Sequence, residues 1–374
     1  MFECLQQPGL KGHNKRMSPD EKGTNLSSEP AIQYDPTKVD FDLPGKHHHR
    51  LAFHLDSGWG FSLVPLTVIN GLRPVAPGSS LVAIAVFGGT HGNEWEGQVA
   101  VKRLCQELDP NEISGRVILM PQLSQSACAA NQRVSPYDNV NMNRAFPGNP
   151  RGTISYRIAN FVKSQIFPKV RVVIDLHAGG REGGFALCTS FHPVPDPAQF
   201  AEINEVASLF DTPFVLIYSS QMASGLLTDE AEAEGKIAIG GEFGFGEGVN
   251  RKGVSHAYEG VLNVMRHYGM LDGGISKIDA DRPSAPRLVD ARHLEDYIPA
   301  PSTGIWEPLV ELGGNVKQGQ LLGRIHDFSN HSAPPREVYA HRAGVLIMMC
   351  GVAVCQLGTT LFVIAREGAL ANRS

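Results

Sequence analysis

At 374 residues the chain is long enough for about two domains of roughly 150 residues each. An apolar share of 42%, a charged share of 19% and a formal net charge of −5 describe an ordinary globular protein. They exclude the basic clustering that a nucleic-acid or anionic-membrane surface needs. The six cysteines are scattered with no CxxC pair, which excludes a disulfide framework and points to a reducing cytosol.

In chain order, residues 1–36 are polar, lack the apolar core of a signal peptide, and are expected to be disordered. Ordered structure begins near VDFDLPGKHHHRLAFHL, with β segments at 50–56 and 60–69. The run His47-His48-His49 reads as solvated or locally packed. LVAIAVF (81–87) is a buried strand, and WEGQVAVKRLCQEL (95–108) is a helix with Val99, Leu104 and Leu108 on one face. Strand-like runs at 115–123, 170–178, 213–220 and 236–244 then alternate with helical patterns at 154–167, 197–210 and 255–271. Apolar strands alternating with helices predict an α/β domain over 37–275, its sheet covered by helices on both faces. A Gly-, Asp- and Pro-rich linker occupies 276–286. Beyond it, short strands separated by PSTG, LGGN, KQGQ, HRAG and LGTT predict a small all-β domain over 287–367, followed by a tail at 368–374. The stretch 345–365 is long enough to span a bilayer, but Gly351, Gln356, Gly358, Thr359 and Thr360 divide it into two strands with a turn at QLGTT.

Ligand sites in open α/β sheets lie outside the carboxyl ends of strands. Three stretches place polar groups there: His91-Gly92-Asn93-Glu94, Asp175-Leu176-His177-Ala178, and Gly240-Gly241-Glu242-Phe243-Gly244. Two histidines and a carboxylate supply three ligands of a catalytic zinc site and leave a fourth position open. His91 and Glu94, three apart on a turn entering a helix, can reach one ion, and His177 completes the set from a neighbouring strand. Asp175 is a candidate partner fixing the His177 tautomer. On a regular strand the two lie ~6.6 Å apart, so a direct bond is expected to require a break at Leu176. Glu242 fits a general base. The irregular loop NQRVSPYDNVNMNRAFPG (131–148) offers Arg133, Asn143 and Arg144, and guanidinium groups suit both a carboxylate grip and an oxyanion. Singly, each of these residues has a structural alternative as a helix cap, a turn carboxylate, a salt bridge or a surface charge. Their joint placement at three strand exits carries the functional reading.

These motifs resemble the succinylglutamate desuccinylase/aspartoacylase family, a branch of the zinc carboxypeptidase-like (M14) hydrolases. His91-x-x-Glu94, Asn143-Arg144, the DLH ending in His177 and the Glu242 segment follow that family's order over roughly 40–367. VDFDLPGK (39–46), RVSPYDN (133–139), NMNRAFPG (141–148) and RIANFV (157–162) are most similar to its N-acetyl-diaminobutyrate deacetylases of ectoine degradation. The resemblance implies a mixed sheet and one zinc ion per subunit, held by His91, Glu94 and His177. It also implies Glu242 as base, Arg133 as oxyanion stabiliser, and Asn143 with Arg144 as the substrate-carboxylate grip. Asn93 stands where those deacetylases have Asp, and Trp95 where they have Tyr; both border the pocket.

The C-terminal part resembles a lipoyl/biotinyl-type barrel-sandwich domain, but its turn at 341–344 has no lysine, so a carrier role is not expected. In the family such a domain narrows access to the site, with Tyr339 and His341 as candidate contributors here. The expected activity is a cytoplasmic zinc amidohydrolase removing the acyl group of a small N-acyl amino acid, N-acetyl-diaminobutyrate-like, with no nucleic-acid or membrane partner. A homo-oligomer is compatible with this reading. A metallocarboxypeptidase and a non-catalytic binding protein on the same fold are the alternatives, and the acyl and amine sides of the substrate stay open.

Overall fold

The computed structural model describes residues 29–56, 58–75, 80–219, 221, 224–282 and 284–367. The chain runs through β1 (Ala31–Gln33), β2 (Gly45–His54), β3 (Phe61–Asn70), β4 (Ala83–Gly88), α1 (Trp95–Glu107), β5 (Arg116–Met120), α2 (Gln125–Ala129) and α3 (Ile154–Phe161). It continues with β6 (Val172–His177), β7 (Gly183–Phe185), β8 (Cys188–Phe191), α4 (Pro197–Ser208), β9 (Phe214–Tyr218), α5 (Leu227–Ala233), β10 (Ile237–Glu242) and α6 (Arg251–His267). Short strands then follow: β11 (Arg287–Ala291), β12 (Tyr297–Pro299), β13 (Gly304–Pro308), β14 (Asn315–Val316) and β15 (Leu321–His326). The last are β16 (Arg336–Tyr339), β17 (Gly344–Cys350), β18 (Val354–Cys355) and β19 (Thr360–Glu367).

Among the described residues the main sheet is ordered β1-β2-β3-β5-β4-β6-β10-β8-β9-β11-β19-β17-β14, with β12 on β19 and β7 on β17. Strands β5, β4, β6 and β10 are mutually parallel, as are β8, β9 and β11. Antiparallel junctions at β3–β5, β10–β8 and β11–β19 make the sheet mixed. Its central strands are apolar throughout because both faces are covered. On β4, Ile84 and Val86 face a core shared with Leu104 of α1, Val206 of α4 and Val261 of α6. The alternate residues Ala85 and Phe87 face a second core with Ile158 of α3 and Leu227 of α5.

The C-terminal strands do not stand apart from this sheet. β11 pairs with β9, and β19 pairs with β11, so residues 287–367 extend it. The smaller sheet, β16-β15-β13-β18, packs Trp306, Ile325 and Val338 against Leu346 and Phe362 of β17 and β19. From Ala31 on, the chain forms one compact unit. The 345–365 stretch folds as β17, β18 and β19, and no helix among the described residues is long and apolar enough to cross a membrane.

Four expectations need correction. The segment expected to be disordered to residue 36 contains β1, paired in parallel with His49–Leu51 of β2; residues 1–28 and the tail 368–374 lie outside the described residues. Val99 is only half-buried: the core face of α1 is Gly97, Ala100, Val101, Leu104 and Cys105, the set that the 3.6-residue period brings together. The helix at 154–167 is regular only to Phe161, and widens and then tightens before Pro168, which has no N–H to continue the ladder. Helix α6 begins at Arg251 rather than 255, because Asn250 caps it by accepting the Gly253 N–H at 3.0 Å.

Candidate active site

Parallel pairing brings the three polar stretches to one edge of the sheet. Gly88 of β4 is in register with Leu176 of β6, and His177 of β6 with Glu242 of β10. The His91–Glu94 turn leaves β4 and leads into α1 under tight steric limits. A Cβ at Gly92 would overlap the Ala127 backbone of α2, and one at Gly97 would overlap the Leu176 carbonyl. Glu94 occupies the N-cap position of α1, yet its side chain makes no capping bond.

The Glu94 carboxylate instead organises the site. Oε1 lies 2.8 Å from His91 Nδ1 and 2.9 Å from the Arg133 guanidinium. Oε2 lies 2.8 Å from His177 Nδ1 and accepts the Ala178 N–H at 3.2 Å. The outer ring nitrogens are held separately: His91 Nε2 is 2.9 Å from Asn141 Oδ1, and His177 Nε2 is 2.7 Å from Asp175 Oδ2. Asn141 Oδ1 also accepts the Asn143 N–H at 2.8 Å, and Asp175 Oδ1 accepts the Thr90 hydroxyl at 2.6 Å. Strand β6 continues unbroken through His177, so the expected break at Leu176 does not occur. The two side chains share one face, and the long imidazole leans along the strand to reach the carboxylate.

Burial alone would raise the Glu94 carboxyl, but the two imidazoles hold it well below its ordinary value. Burial alone would lower His177, yet the Asp175 and Glu94 carboxylates keep it well above the usual histidine range. His91 is lowered by its burial, with Glu94 opposing. At the end of β10, burial and the neighbouring charge of Glu94 push the Glu242 carboxyl up to about 8, and its Oε2 is buried without a hydrogen-bond partner.

The Glu94 carboxylate and the Glu242 carboxyl are thus buried beside two imidazoles, a donor set suited to a cation. His91, Glu94 and His177 present ligand atoms all within 4.8 Å of one another. With the proton on Nε2 of each ring donated to Asn141 and Asp175, both Nδ1 atoms are free to bind a metal, and the N/N/O set suits zinc. A second group, His192, Asp229 and Glu232, also has ligand spacing, with His192 Nδ1 2.9 Å from Glu232 and 3.1 Å from Asp229, but it offers one imidazole, and the outer nitrogen, Nε2, has no hydrogen-bond partner to fix its tautomer.

His91, Glu94, Arg133, Asn143, Arg144, His177 and Glu242 all line one cavity of about 320 Å³. Its loop is pinned by Asp138, which accepts the Ser155 N–H at 2.9 Å and the Thr153 hydroxyl at 2.7 Å. Arg144 is exposed at the cavity and donates to the Asn143 carbonyl at 2.6 Å; partial desolvation and the charge of Arg133 lower its pKa. Asn143 uses its amide within the protein: Oδ1 accepts the Leu227 N–H at 2.8 Å, and Nδ2 lies 3.3 Å from His177 Nε2. Through the acceptor bond it braces the loop against the start of α5. Tyr339 is not brought to the cavity. The alternation of β16 turns Val338 inward and leaves Tyr339 exposed, bonded to Glu337.

In place of Tyr339, the C-terminal strands contribute Tyr297, Met348, Thr360 and Val363 to the lining, and β9 contributes Leu216 and Tyr218, followed by Ser219. Tyr218 and Ser219 stand at a strand exit, so the strand-end criterion applied to 213–220 would have found them. Thr90 and Asn141 carry no such signal, because nothing in their spacing separates them from neighbouring turn residues.

His91, Glu94 and His177, at metal-ligand spacing on one sheet edge with Glu242 beside them, form a candidate metal site. Residues 80–268 match the succinylglutamate desuccinylase/aspartoacylase catalytic domain, and the chain belongs to that family. It is similar to an N-alpha-acetyl-L-2,4-diaminobutyric acid deacetylase of Halomonas elongata, 32% identical over 87% of this chain and 93% of the relative. Among solved structures it resembles a succinylglutamate desuccinylase/aspartoacylase from Rhodobacter sphaeroides with a TM-score of 0.82 and 31% identity, over 88% of this chain and 98% of that one. The product-bound ectoine utilization protein EutE of Ruegeria pomeroyi gives a TM-score of 0.80 at 27% identity, over 88% and 97%. The fold class expected from sequence, an α/β mixed sheet with a C-terminal β part, is that of these structures.

Proposed function

We propose that the protein is a zinc-dependent deacylase that hydrolyses the amide bond of a small N-acyl amino acid. The observation that carries this reading is the orientation of the two imidazoles, each Nδ1 toward Glu94 and each Nε2 on an outer oxygen, with Glu242 beside them. A zinc ion held by His91, Glu94 and His177 would polarise the acyl carbonyl and acidify water.

The chain's own residues supply the remaining steps. Glu242, buried beside the three proposed ligands on the cavity wall, accepts a proton from the attacking water and returns it to the departing amine. Arg133, a third exposed and facing the cavity, donates to the oxygen on which negative charge develops. Arg144 grips the substrate carboxylate, and Asn143 holds the loop that carries it. The strands of 287–367 that extend the main sheet narrow the cavity through Tyr297, Met348 and Thr360, which favours a small acyl amino acid over the peptide of a carboxypeptidase. Buried free thiols at Cys105, Cys128, Cys188, Cys350 and Cys355 support a reducing, cytoplasmic setting.

The diaminobutyrate derivative named for the Halomonas relative is the first compound to assay, beside N-succinyl and N-formyl amino acids. The purified chain is expected to bind about one zinc per subunit and to release a free amine from at least one of them. Failure to take up zinc, or no hydrolysis of any N-acyl amino acid once zinc is supplied, would sink the reading.

A further inference from the structure

The cavity has an apolar side that the chemistry above does not use. Leu216, Ile347 and Val363 belong to a core cluster between the C-terminal strands and β9, and each is at most 5% exposed. They reach the cavity at the margin of that cluster, joined by the half-buried side chains of Phe185 and Met348. Register accounts for their convergence. Phe185 pairs with Met348 across β7 and β17, and Met348 pairs with Val363 across β17 and β19. Leu216 sits opposite Ser190 on β8, which in turn sits opposite Gly240 on β10, two residues from Glu242. A continuous apolar surface therefore begins within two strands of the general base.

The charges of the cavity lie elsewhere. Besides the imidazoles of His91 and His177, its basic side chains among the described residues are Arg133 and Arg144, and its acidic ones are Glu94 and Glu242. The other polar groups on its lining include the hydroxyls of Ser190, Ser219, Thr228 and Thr360. A substrate carboxylate has a guanidinium to meet, whereas a second charged group placed against the apolar side would lose its hydration without an ionic partner. An aliphatic group there would be stabilised in proportion to the surface it buries.

We propose that this apolar side takes an uncharged aliphatic group of the substrate, so that the enzyme selects N-acyl amino acids with such a group over those with a second charge. The inference rests on the deacylase reading. It separates this chain from its Halomonas relative, whose named substrate carries a second amino group. The aliphatic group can come from the amino-acid side chain or from the acyl chain, and the assay distinguishes the two.

The test measures kcat/KM of the zinc-supplied full chain on N-acetyl-alanine, N-acetyl-norvaline, N-butyryl-alanine, Nα-acetyl-2,4-diaminobutyrate and N-acetyl-aspartate. Each lengthened compound adds two methylenes to one side of the amide. The expected result is that one of them exceeds N-acetyl-alanine and both charged compounds by at least about tenfold. Whichever it is identifies the side that faces the wall. Any other ranking overturns the proposal, and a charged compound in first place does so while leaving the deacylase reading intact. No hydrolysis of any of the five overturns the deacylase reading and the proposal with it. Met348→Glu, at a half-buried position, gives a second measurement once circular dichroism shows a native spectrum. It is expected to lose at least about tenfold on the preferred compound and to gain on the diaminobutyrate derivative. An unchanged ratio between those two compounds overturns the proposal.

Discussion

Asp175 and His177, two residues apart on one unbroken strand, are joined by a 2.7 Å contact between Oδ2 and Nε2. The carboxylate is fully buried, and its other oxygen accepts the Thr90 hydroxyl, so its orientation is fixed before any metal binds. It therefore dictates which nitrogen of His177 faces Glu94. Asp175→Asn is expected to weaken zinc affinity by about 10- to 100-fold, read by competition with a chelator. An unchanged affinity would show that the ring needs no such partner.

Glu242 makes no hydrogen bond through its inner oxygen and is not one of the three residues that converge at ligand spacing. Its replacement should therefore spare the metal and remove proton transfer. Glu242→Gln is expected to bind zinc normally and lose about 10²- to 10⁴-fold in kcat, with KM little changed. Loss of zinc from the variant would instead make Glu242 a structural part of the centre.

Glu96 is a second buried acid, 1% exposed, on the same helix as Glu94. It accepts the Asn250 N–H at 2.8 Å, and Gly244 is too close to it for a Cβ. It thus ties α1 to the segment that follows Glu242. Glu96→Ala would leave that N–H unpaired and is expected to cost about 1–3 kcal/mol in urea unfolding. Glu96→Gln keeps an acceptor and should cost less; equal losses would refute the hydrogen-bond account.

Asp138, which pins the cavity loop without lining the cavity, supplies a pH signature of its own. Burial alone would raise its carboxyl, but donors from Ser155, Thr153 and Val140 hold it below the ordinary value. A folded pKa below the unfolded one means stability that is fully present above about 3.9 and lost as pH falls through the folded value. Asp138→Asn should be less stable than the parent at neutral pH, with the gap closing in acid. A gap that is constant between pH 7 and pH 3 would rule this out.

Phe87 fills the second core directly beneath the strand exit and is fully buried. Phe87→Ala is expected to destabilise by about 3–5 kcal/mol in denaturant unfolding. A loss well below that range would mean that the surrounding side chains collapse into the space.

The proposed ligands and the proposed base were legible as candidates because such chemistry requires particular atoms at particular strand ends. His91, Glu94, His177 and Glu242 each sit where an apolar run stops, and a run of β-branched and small residues such as LVAIAVF marks its own end. The outer partners were less legible. Asn141 and Thr90 are ordinary turn residues in sequence, and only the folded chain shows their oxygens against an imidazole and a carboxylate. Tyr339 failed for the opposite reason: a tyrosine in a C-terminal strand is chemically suitable, but side-chain alternation decides its face, and β16 turns it to solvent.

What the sequence determined by itself was local: the periods of strand and helix, the glycines that permit close approach at Gly92 and Gly97, and the donor types of the candidate metal site. What only the tertiary structure decided was adjacency. The order β4-β6-β10 brings three distant exits to one edge, and the pairing of β11 with β9 swings the C-terminal strands round to wall the cavity. Strand order depends on contacts between residues far apart in the chain, whose free energy no local pattern encodes. For that reason the chemistry could be read from motifs, while the shape of the space around it could not.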